Sequence, residues 1–310
     1  MAKITIIGGA GTLGSATAFQ LAKKVHISEL CLIDINRPLL MNHIMDFQNA
    51  FPAHTIYAGS YDDLKDSEIV IITAGTPNRN NISSRNAFLE ENLKLFKYFG
   101  AGIKKYAPDA LIVTASNPVD VLNYYMYKEF QFSPHQLIGY TMNDTYRFEW
   151  AIRQVLDLKK NDQLFTPVLG EHGNTQVPIF SQVLLNRDPL SLSEQEQKNV
   201  HDKLKGWFKE FNEWNINRTT GWTTAIGISS VIDHLLEEKC SEIIASAVLD
   251  GNYSVSEVSL GVPISINKNG IQSIQEWALS TEERQAFHSS SDAVRDMIDK
   301  SIPIRKRRVL

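Results

Sequence analysis

The sequence is poor in cysteine and has no long apolar run. Its 310 residues include only two cysteines, Cys31 and Cys240, whose positions fit neither a disulfide framework nor a metal or redox motif. No run approaches the roughly 20 apolar residues of a membrane span. The start, MAKITIIGG, lacks the apolar region and the cleavage site of a secretory leader. We therefore expect a cytoplasmic protein without a metal site or a membrane partner.

The sequence also has no large excess of positive or negative charge. The chain carries 31 Lys and Arg against 35 Asp and Glu, a formal net charge of −4 at pH 7. Electrostatics therefore gives no reason to expect nucleic acid as a partner. The basic cluster RKRR at residues 305–308 has no aromatic residue between its charges. We interpret it as a solvated tail and not as a nucleic-acid-binding patch.

The first half of the chain alternates short apolar runs with longer amphipathic segments. Continuous apolar runs, typical of strands buried on both faces, occupy residues 3–8, 30–34, 68–73 and 110–116. Helical periodicity appears between them at residues 13–24, 39–50 and 85–106. This alternation predicts an α/β fold with a Rossmann-type doubly wound parallel sheet.

After about residue 145 the pattern changes. Helices are predicted at residues 199–215, 223–238 and 283–300, and a β-hairpin with its turn at Asn269-Gly270. The chain therefore divides into a first domain over residues 1–143 and an α+β domain over residues 144–310.

The stretch GAGTLG matches the pattern Gly-x-Gly-x-x-Gly and lies between a predicted strand and a predicted helix. Gly9 would permit the tight turn, Gly11 the approach of a pyrophosphate, and Gly14 close helix–strand packing. The free N–H groups of the helix N-terminus would bind the anion. Asp34 ends the next strand and would accept hydrogen bonds from the ribose hydroxyls. Its negative charge would repel the 2′-phosphate of NADP, although the positive charge of Arg37 nearby weakens this repulsion. The sequence predicts a domain that binds NAD.

Three polar residues suggest proton transfer and anion binding. His172 stands in a glycine-flanked turn, and Asp144 and Arg147 lie three apart, on one face of a predicted helix. Such a pair is equally well explained as an exposed ion pair worth under about 1 kcal/mol. Spacing alone leaves the two interpretations open.

Six stretches together resemble the L-lactate/malate dehydrogenase family, including its L-2-hydroxyisocaproate branch. They occur in the family's order and span nearly the whole chain. They are GAGTLG with Asp34, AG at residues 74–75 before an arginine-bearing loop, SNPVD at 116–120, DTYR at 144–147, GEHGN at 170–174 and LGVP at 260–263. The resemblance implies reversible hydride transfer between NADH and a small 2-oxo acid. It also implies a homodimer or homotetramer.

The resemblance also implies roles for individual residues. His172 would be the general acid/base, and Asp144 would orient its imidazole and stabilise the charged form. Arg147 would bind the substrate carboxylate through both arms of its guanidinium. Asn117 would contact the nicotinamide side and the substrate, and Thr220 would line the substrate pocket.

Two arginines lie in the loop TPNRNNISSRNAF. Arg85 has the family's spacing for the mobile-loop arginine that polarises the substrate carbonyl when the loop closes. Counted back from Arg85, the position that selects the substrate is Arg79; counted forward from the AG pair, it is Asn78. An arginine there would pair the second carboxylate of oxaloacetate. Malate/oxaloacetate is therefore narrowly favoured over lactate/pyruvate.

The sequence departs from the family pattern beside the predicted pocket. GYTMND is one residue shorter than usual, and Asn143 replaces the customary leucine. MDFQNA and GEHGNTQ resemble the hydroxyisocaproate branch of the family. A bulkier 2-oxo acid therefore remains an alternative substrate.

Other functions fit the sequence less well. A short-chain reductase would use Tyr124 and Lys128, but the glycine spacing is wrong for one. An NAD-dependent glycosidase would need a Cys/His metal pair, which is not found. A non-catalytic NAD-binding sensor would have no need of His172, Asp144, Arg147 and Arg85 together.

Overall fold

The computed structural model describes residues 2–76, 85–214 and 220–302. Its α-helices are α1 (Thr12–Leu21), α2 (Arg37–Ala50), α3 (Arg85–Tyr106), α4 (Val119–Phe130), α5 (Met142–Val155), α6 (Glu194–Glu213), α7 (Gly221–Leu235) and α8 (Thr281–Ser301). Its strands are β1 (Ala2–Ile7), β2 (Ile27–Ile33), β3 (Thr55–Ala58), β4 (Ile69–Ile72), β5 (Leu111–Thr114), β6 (Leu137–Gly139), β7 (Leu164–Phe165), β8 (Val168–Leu169), β9 (Val177–Pro178), β10 (Leu184–Leu185), β11 (Asp188–Pro189), β12 (Ser241–Asp250), β13 (Ser256–Asn267) and β14 (Gly270–Ile274). Short 3₁₀ turns occupy Tyr61–Leu64, Pro134–Gln136, Phe180–Gln182 and Asn252–Ser254.

The first half of the chain forms a parallel sheet in the order β6-β5-β4-β1-β2-β3. Every residue of β4 and β5 is buried, because helices cover both faces of the sheet. The strand order reverses between β1 and β4, and ligands bind at the carboxyl ends of the strands beside such a switch point. The predicted doubly wound parallel sheet is confirmed.

The strands of the second half extend the same sheet. β13 is antiparallel to both of its neighbours, β12 and β14, and β12 pairs with β6 through Ser246 and Gly139. The result is one nine-stranded mixed sheet that runs through both predicted domains. The hairpin between β13 and β14 turns at Lys268 and Asn269, one residue before the predicted position.

The helices follow the predicted periodicity, with shifts at their ends. α3 has the predicted bounds, and α8 begins where Ser280 and Glu283 form a capping box. A second core, built on Phe148 and Ile152 of α5, packs against Val200 and Leu204 of α6. Within the described ranges, no helix has the length and apolar character that crossing a bilayer requires.

Gly14 provides the tightest contact between α1 and the sheet. A Cβ at this position would overlap the carbonyl oxygen of Gly8 and lie 2.9 Å from the Cα of Gly9. Because both neighbours are backbone, α1 would have to move away from β1. We predict that Gly14→Ala lowers the free energy of unfolding by about 1–3 kcal/mol, measured by urea denaturation.

Gly206 supplies the matched control for this substitution. It lies in α6, and a Cβ there would meet no atom within 4 Å. Gly206→Ala should raise the free energy of unfolding by up to about 1 kcal/mol, because alanine favours the helix. Equal urea midpoints for Gly14→Ala and the wild type would contradict the close-packing argument.

Candidate active site

The turn between β1 and α1 has the geometry of a phosphate-binding loop. Its left-handed residue is Gly8, with φ +95°, and not Gly9, to which the sequence analysis assigned the tight turn. Gly11 is the N-cap of α1, and a Cβ there would meet only the Gly8 carbonyl oxygen, at 3.4 Å. The N-terminus of α1 is therefore open to an anion, and its free N–H groups suit a pyrophosphate.

Asp34 lies beside this turn at the end of β2. Its carboxylate accepts hydrogen bonds from the backbone N–H of Ala10, at 2.9 Å, and of Asn36, at 2.8 Å. Arg37 points toward the end of β3, where it donates to the carbonyls of Ala58 and Gly59. An acidic group next to an open helix N-terminus fits the ribose and pyrophosphate of a dinucleotide.

His172, Asp144 and Arg147 form a buried array. The Nδ1–H of His172 donates to Asp144 Oδ2 at 2.6 Å, and Nη1 of Arg147 donates to Asp144 Oδ1 at 3.2 Å. The three side chains are 13%, 5% and 14% exposed, respectively. The pair Asp144–Arg147 is therefore not an exposed ion pair on a helix surface, which was one of the two interpretations that its spacing allowed.

The electrostatics of the array favour a protonated imidazole. Burial lowers the pKa of His172, but the charge and hydrogen bond of Asp144 outweigh burial, so this pKa lies above its ordinary value. Burial also lowers the pKa of Arg147, although a guanidinium remains charged at any working pH. Since Asp144 occupies Nδ1, the nitrogen that can exchange a proton with a substrate is Nε2.

Two further predicted site residues lie after β5 and just before α7. Asn117, after β5, is exposed at the carboxyl edge of the sheet. Thr220, just before α7, accepts a hydrogen bond from the amide of Asn143 at 3.3 Å. Arg79 and the side chain of Arg85 lie outside the described residues, so their roles stay predictions; the backbone of Arg85 begins α3.

The comparisons with known proteins agree with this geometry. Residues 2–139 match the family model for the lactate/malate dehydrogenase NAD-binding domain, and residues 141–303 match the model for the lactate/malate dehydrogenase alpha/beta C-terminal domain. The chain belongs to the lactate/malate dehydrogenase family. It is an NAD-dependent oxidoreductase of the malate/lactate type, as the resemblance predicted.

Relatives named malate dehydrogenase and relatives named L-lactate dehydrogenase are both similar to the chain over almost their full length. Malate dehydrogenase of Halobacterium salinarum is 30% identical over 305 residues, covering 96% of this chain and 99% of that protein. L-lactate dehydrogenase 1 of Peribacillus psychrosaccharolyticus is 30% identical over 308 residues, covering 94% of both. The solved malate dehydrogenase from Aeropyrum pernix has a TM-score of 0.89 and 28% identity, covering 96% of this chain and 97% of that chain.

Asn92, to which the sequence analysis gave no role, connects two segments at the carboxyl edge of the sheet. Its side chain is fully buried, donates to the carbonyl of Asn117 at 2.8 Å, and accepts from the backbone N–H of Thr76 at 2.7 Å. Asn92 thus ties the segment after β4 to the segment after β5. No local pattern signals such a residue, because its two partners come from other elements.

Trp207 is a second residue that was missed. Its ring lies under the guanidinium of Arg147, with 4.5 Å from Cζ to the ring centroid, and it stacks on Phe211. A cation over an indole face is stabilised by the ring quadrupole. Trp207 therefore restrains Arg147 on one face, while Asp144 restrains it at one edge. Only the packing of α6 on α5 reveals this contact.

Asn143, the departure from the family pattern, is held by hydroxyl groups. Its amide donates to Thr224 Oγ1 at 2.8 Å and to Thr220 Oγ1 at 3.3 Å, and its carbonyl oxygen accepts from the hydroxyl of Tyr140 at 3.0 Å. The amide is 5% exposed, and its hydrogen bonds offset the cost of burying it. The surroundings of Thr220, which is predicted to line the substrate pocket, are therefore polar where leucine is customary.

The array predicts how activity depends on pH. With His172 as the predicted proton donor, kcat/KM for reduction of a 2-oxo acid should fall as pH rises through the pKa of this residue. Asp144→Asn removes the charge that raises this pKa, and the fall should then occur at lower pH. At neutral pH, kcat/KM should drop by about 10²–10⁴-fold, measured by NADH oxidation across pH.

Asp292→Asn is the matched control. Asp292 pairs with Arg295 at 3.0 Å with the same three-residue spacing, but on an exposed helix surface. Its replacement should leave the pH profile unchanged. A profile for Asp144→Asn that superimposes on that of Asp292→Asn would show that Asp144 does not set the pKa of His172.

Proposed function

We propose that this enzyme reversibly reduces a small 2-oxo acid with NADH, and that oxaloacetate, giving L-malate, is its preferred substrate. The observation that carries the proposal is the buried array in which Asp144 binds a proton donor, His172, and a guanidinium, Arg147. A 2-oxo acid presents a carbonyl and a carboxylate side by side. His172 offers a proton donor to the carbonyl, and Arg147 offers a positive charge to the carboxylate.

The residues that would hold the cofactor lie along the carboxyl edge of the sheet. The N-terminus of α1 at Gly11, with Gly9 and Gly14 around it, would bind the pyrophosphate, and Asp34 would accept from the ribose hydroxyls. Asn117 would contact the nicotinamide side. When bound, NADH supplies the hydride that reaches the carbonyl carbon.

The protein's own part in the reaction is to orient the substrate and move a proton. Arg147 binds the carboxylate through its fork, which the Trp207 ring and Asp144 hold in place. Nε2 of His172 then donates its proton to the carbonyl oxygen. The resulting neutral imidazole keeps its orientation, because Nδ1–H still donates to Asp144. Arg85 would polarise the carbonyl from the loop before α3.

The preferred substrate is determined by the group that the 2-oxo acid carries on the other side of its carbonyl, opposite the carboxylate that Arg147 binds. Arg79 would pair the second carboxylate of oxaloacetate, whereas pyruvate has a methyl group there. The polar wall formed by Asn143, Thr220 and Thr224 gives little apolar surface for the branched side chain of 2-oxoisocaproate. These features support oxaloacetate first, pyruvate second and the branched acid last.

The first experiment compares oxaloacetate, pyruvate and 2-oxoisocaproate in steady-state NADH oxidation, with the wild type and Arg79→Gln. We expect oxaloacetate to have the highest kcat/KM. The variant should lose preference for oxaloacetate by about 10–100-fold, as for the loss of a charge-assisted hydrogen bond. NADPH in place of NADH should support slower turnover, because Asp34 repels the 2′-phosphate.

The outcomes of this experiment separate the alternatives. Preference for pyruvate or 2-oxoisocaproate, with little change in Arg79→Gln, would show that Arg79 does not bind substrate and that the malate assignment is wrong. Absence of turnover with all three acids, together with normal NADH binding, would favour the non-catalytic sensor.

We also propose that the enzyme is a homo-oligomer, at least a dimer, that associates through α1, α2 and α7. These helices present Phe19, Met45, Trp222 and Ile226 at the surface, with Trp222 66% and Ile226 55% exposed. Phe19, Trp222 and Ile226 border a groove of about 530 Å³. Monomeric proteins rarely expose so many large apolar side chains together, whereas a second copy would cover them.

Ile226→Glu tests this face, with Val25→Glu as the control. Val25 is 78% exposed and does not border the groove, so both variants add one surface carboxylate. Sedimentation equilibrium should give a dimer or tetramer for the wild type and Val25→Glu, and a smaller species for Ile226→Glu. An unchanged mass for Ile226→Glu would place the interface elsewhere.

The cysteines support a cytoplasmic location. Cys31 is buried, Cys240 is exposed, and neither forms a disulfide. An exposed free thiol suits a reducing compartment. We therefore propose that the enzyme works in the cytoplasm.

A further inference from the structure

Asp120 is a buried carboxylate that the reaction described above does not use. It lies in the first turn of α4, in the motif SNPVD, and is 1% exposed. Its Oδ2 accepts a hydrogen bond from the backbone N–H of His172 at 2.7 Å. Its Oδ1 accepts from the hydroxyl of Ser246 at 2.6 Å. Both oxygens of this carboxylate therefore have donors, and one donor belongs to the residue that moves the proton.

The surroundings of Asp120 form a buried polar network between the two predicted domains. The hydroxyl of Ser246, on β12, lies 2.8 Å from that of Ser259, on β13. Asn123, one turn along α4, donates to Ser259 Oγ at 2.9 Å and to the carbonyl of Ser246 at 3.2 Å. α4 is thus fixed to the second half of the chain directly beneath the turn that carries His172.

Two carboxylates therefore hold His172 at two different points. Asp144, on α5, binds the ring at Nδ1, and Asp120, on α4, binds the backbone N–H. Among the residues that the structure describes, the charged groups that face the imidazole are these two carboxylates and Arg147. The negative charge of Asp120 favours the protonated ring. Burial raises the pKa of Asp120 itself to about 7, and the charge of the neighbouring Glu171 acts in the same direction. Its two donors favour the ionised form.

We propose that Asp120 is a positioning residue for proton transfer by His172, through both its hydrogen bond to the turn and its negative charge. This inference rests on the proposed role of His172 as the proton donor. A neutral acceptor would fix the turn equally well, and burying a carboxylate is less favourable than burying an amide. A purely structural role would therefore not require the charge of Asp120. We infer that this charge stabilises the imidazolium of His172 before the proton is donated.

Asp120→Asn separates the charge from the hydrogen bonds. The amide has the same shape, and its oxygen can accept from the His172 N–H while its NH₂ group donates to Ser246 Oγ. We expect kcat for oxo-acid reduction to fall by about tenfold, with the Kd for NADH and the KM for the oxo acid within about twofold. The fall of kcat/KM with rising pH should move to lower pH, because the imidazolium loses a stabilising charge.

Ser259→Ala is the matched control for disturbing the network. Ser259 contacts Ser246 and Asn123 but not Asp120, so its replacement should leave the position of the pH profile unchanged. If Asp120→Asn keeps the wild-type kcat and pH profile, or if Ser259→Ala shifts the profile equally, the proposal is overturned. If both variants still reduce the 2-oxo acid, these results would contradict only the role of Asp120 and not the proposed function.

Ser246→Ala decides the question if Asp120→Asn does not fold. It keeps Asp120 but removes a donor that stabilises its carboxylate, so Asp120 should protonate at higher pH. The fall of kcat/KM should then move in the same direction as for Asp120→Asn, by a smaller amount. No movement would overturn the role of Asp120. A wild type inactive with every 2-oxo acid would instead overturn the proposed function.

Discussion

The pairing of one buried carboxylate, that of Asp144, with two cationic partners is the constraint on which the site depends. Burying a carboxylate is unfavourable unless it is paired and hydrogen-bonded. Here each of its oxygens takes one partner, Nδ1 of His172 or Nη1 of Arg147. Because the same group orients the imidazole and holds the guanidinium, His172 and Arg147 keep a fixed separation. The helix α5 makes this possible by placing Asp144 and Arg147 one turn apart on its inner face.

The sheet explains why residues from distant parts of the chain meet at this site. The parallel strands end at one edge, where the segments after β1, β2, β4 and β5 carry Gly11, Asp34, Thr76 and Asn117. β12 continues this sheet from β6 through Ser246 and Gly139, so the turn with His172 is held against the same framework. His172 is thus positioned relative to the carboxyl edge of the sheet by backbone hydrogen bonds, including those between Gly170 and Gly261 of β13.

The sequence predicted the local features well and the tertiary contacts poorly. Strands β1, β4 and β5 and helix α3 follow directly from apolar patterning, which is a local property. The pairing of Asp144 with Arg147 was equally consistent with a surface ion pair, and only the family resemblance favoured the active-site interpretation. Asn92 and Trp207 were missed because their partners lie far away in sequence or on another helix. Periodicity does not reveal which side chains meet across elements.

The arrangement also explains how the substrate can differ within the family while the reaction remains the same. Adjacent residues of a helix point about 100° apart, given 3.6 residues per turn. Asp144 therefore faces His172, whereas Asn143 faces Thr220 and Thr224 on α7. An asparagine in place of the customary leucine at position 143 thus makes the surroundings of Thr220 polar without contacting His172. In the proposed function, substrate preference would thus depend on α7 and the loop before α3, and proton transfer would depend on α4, α5 and the turn of His172.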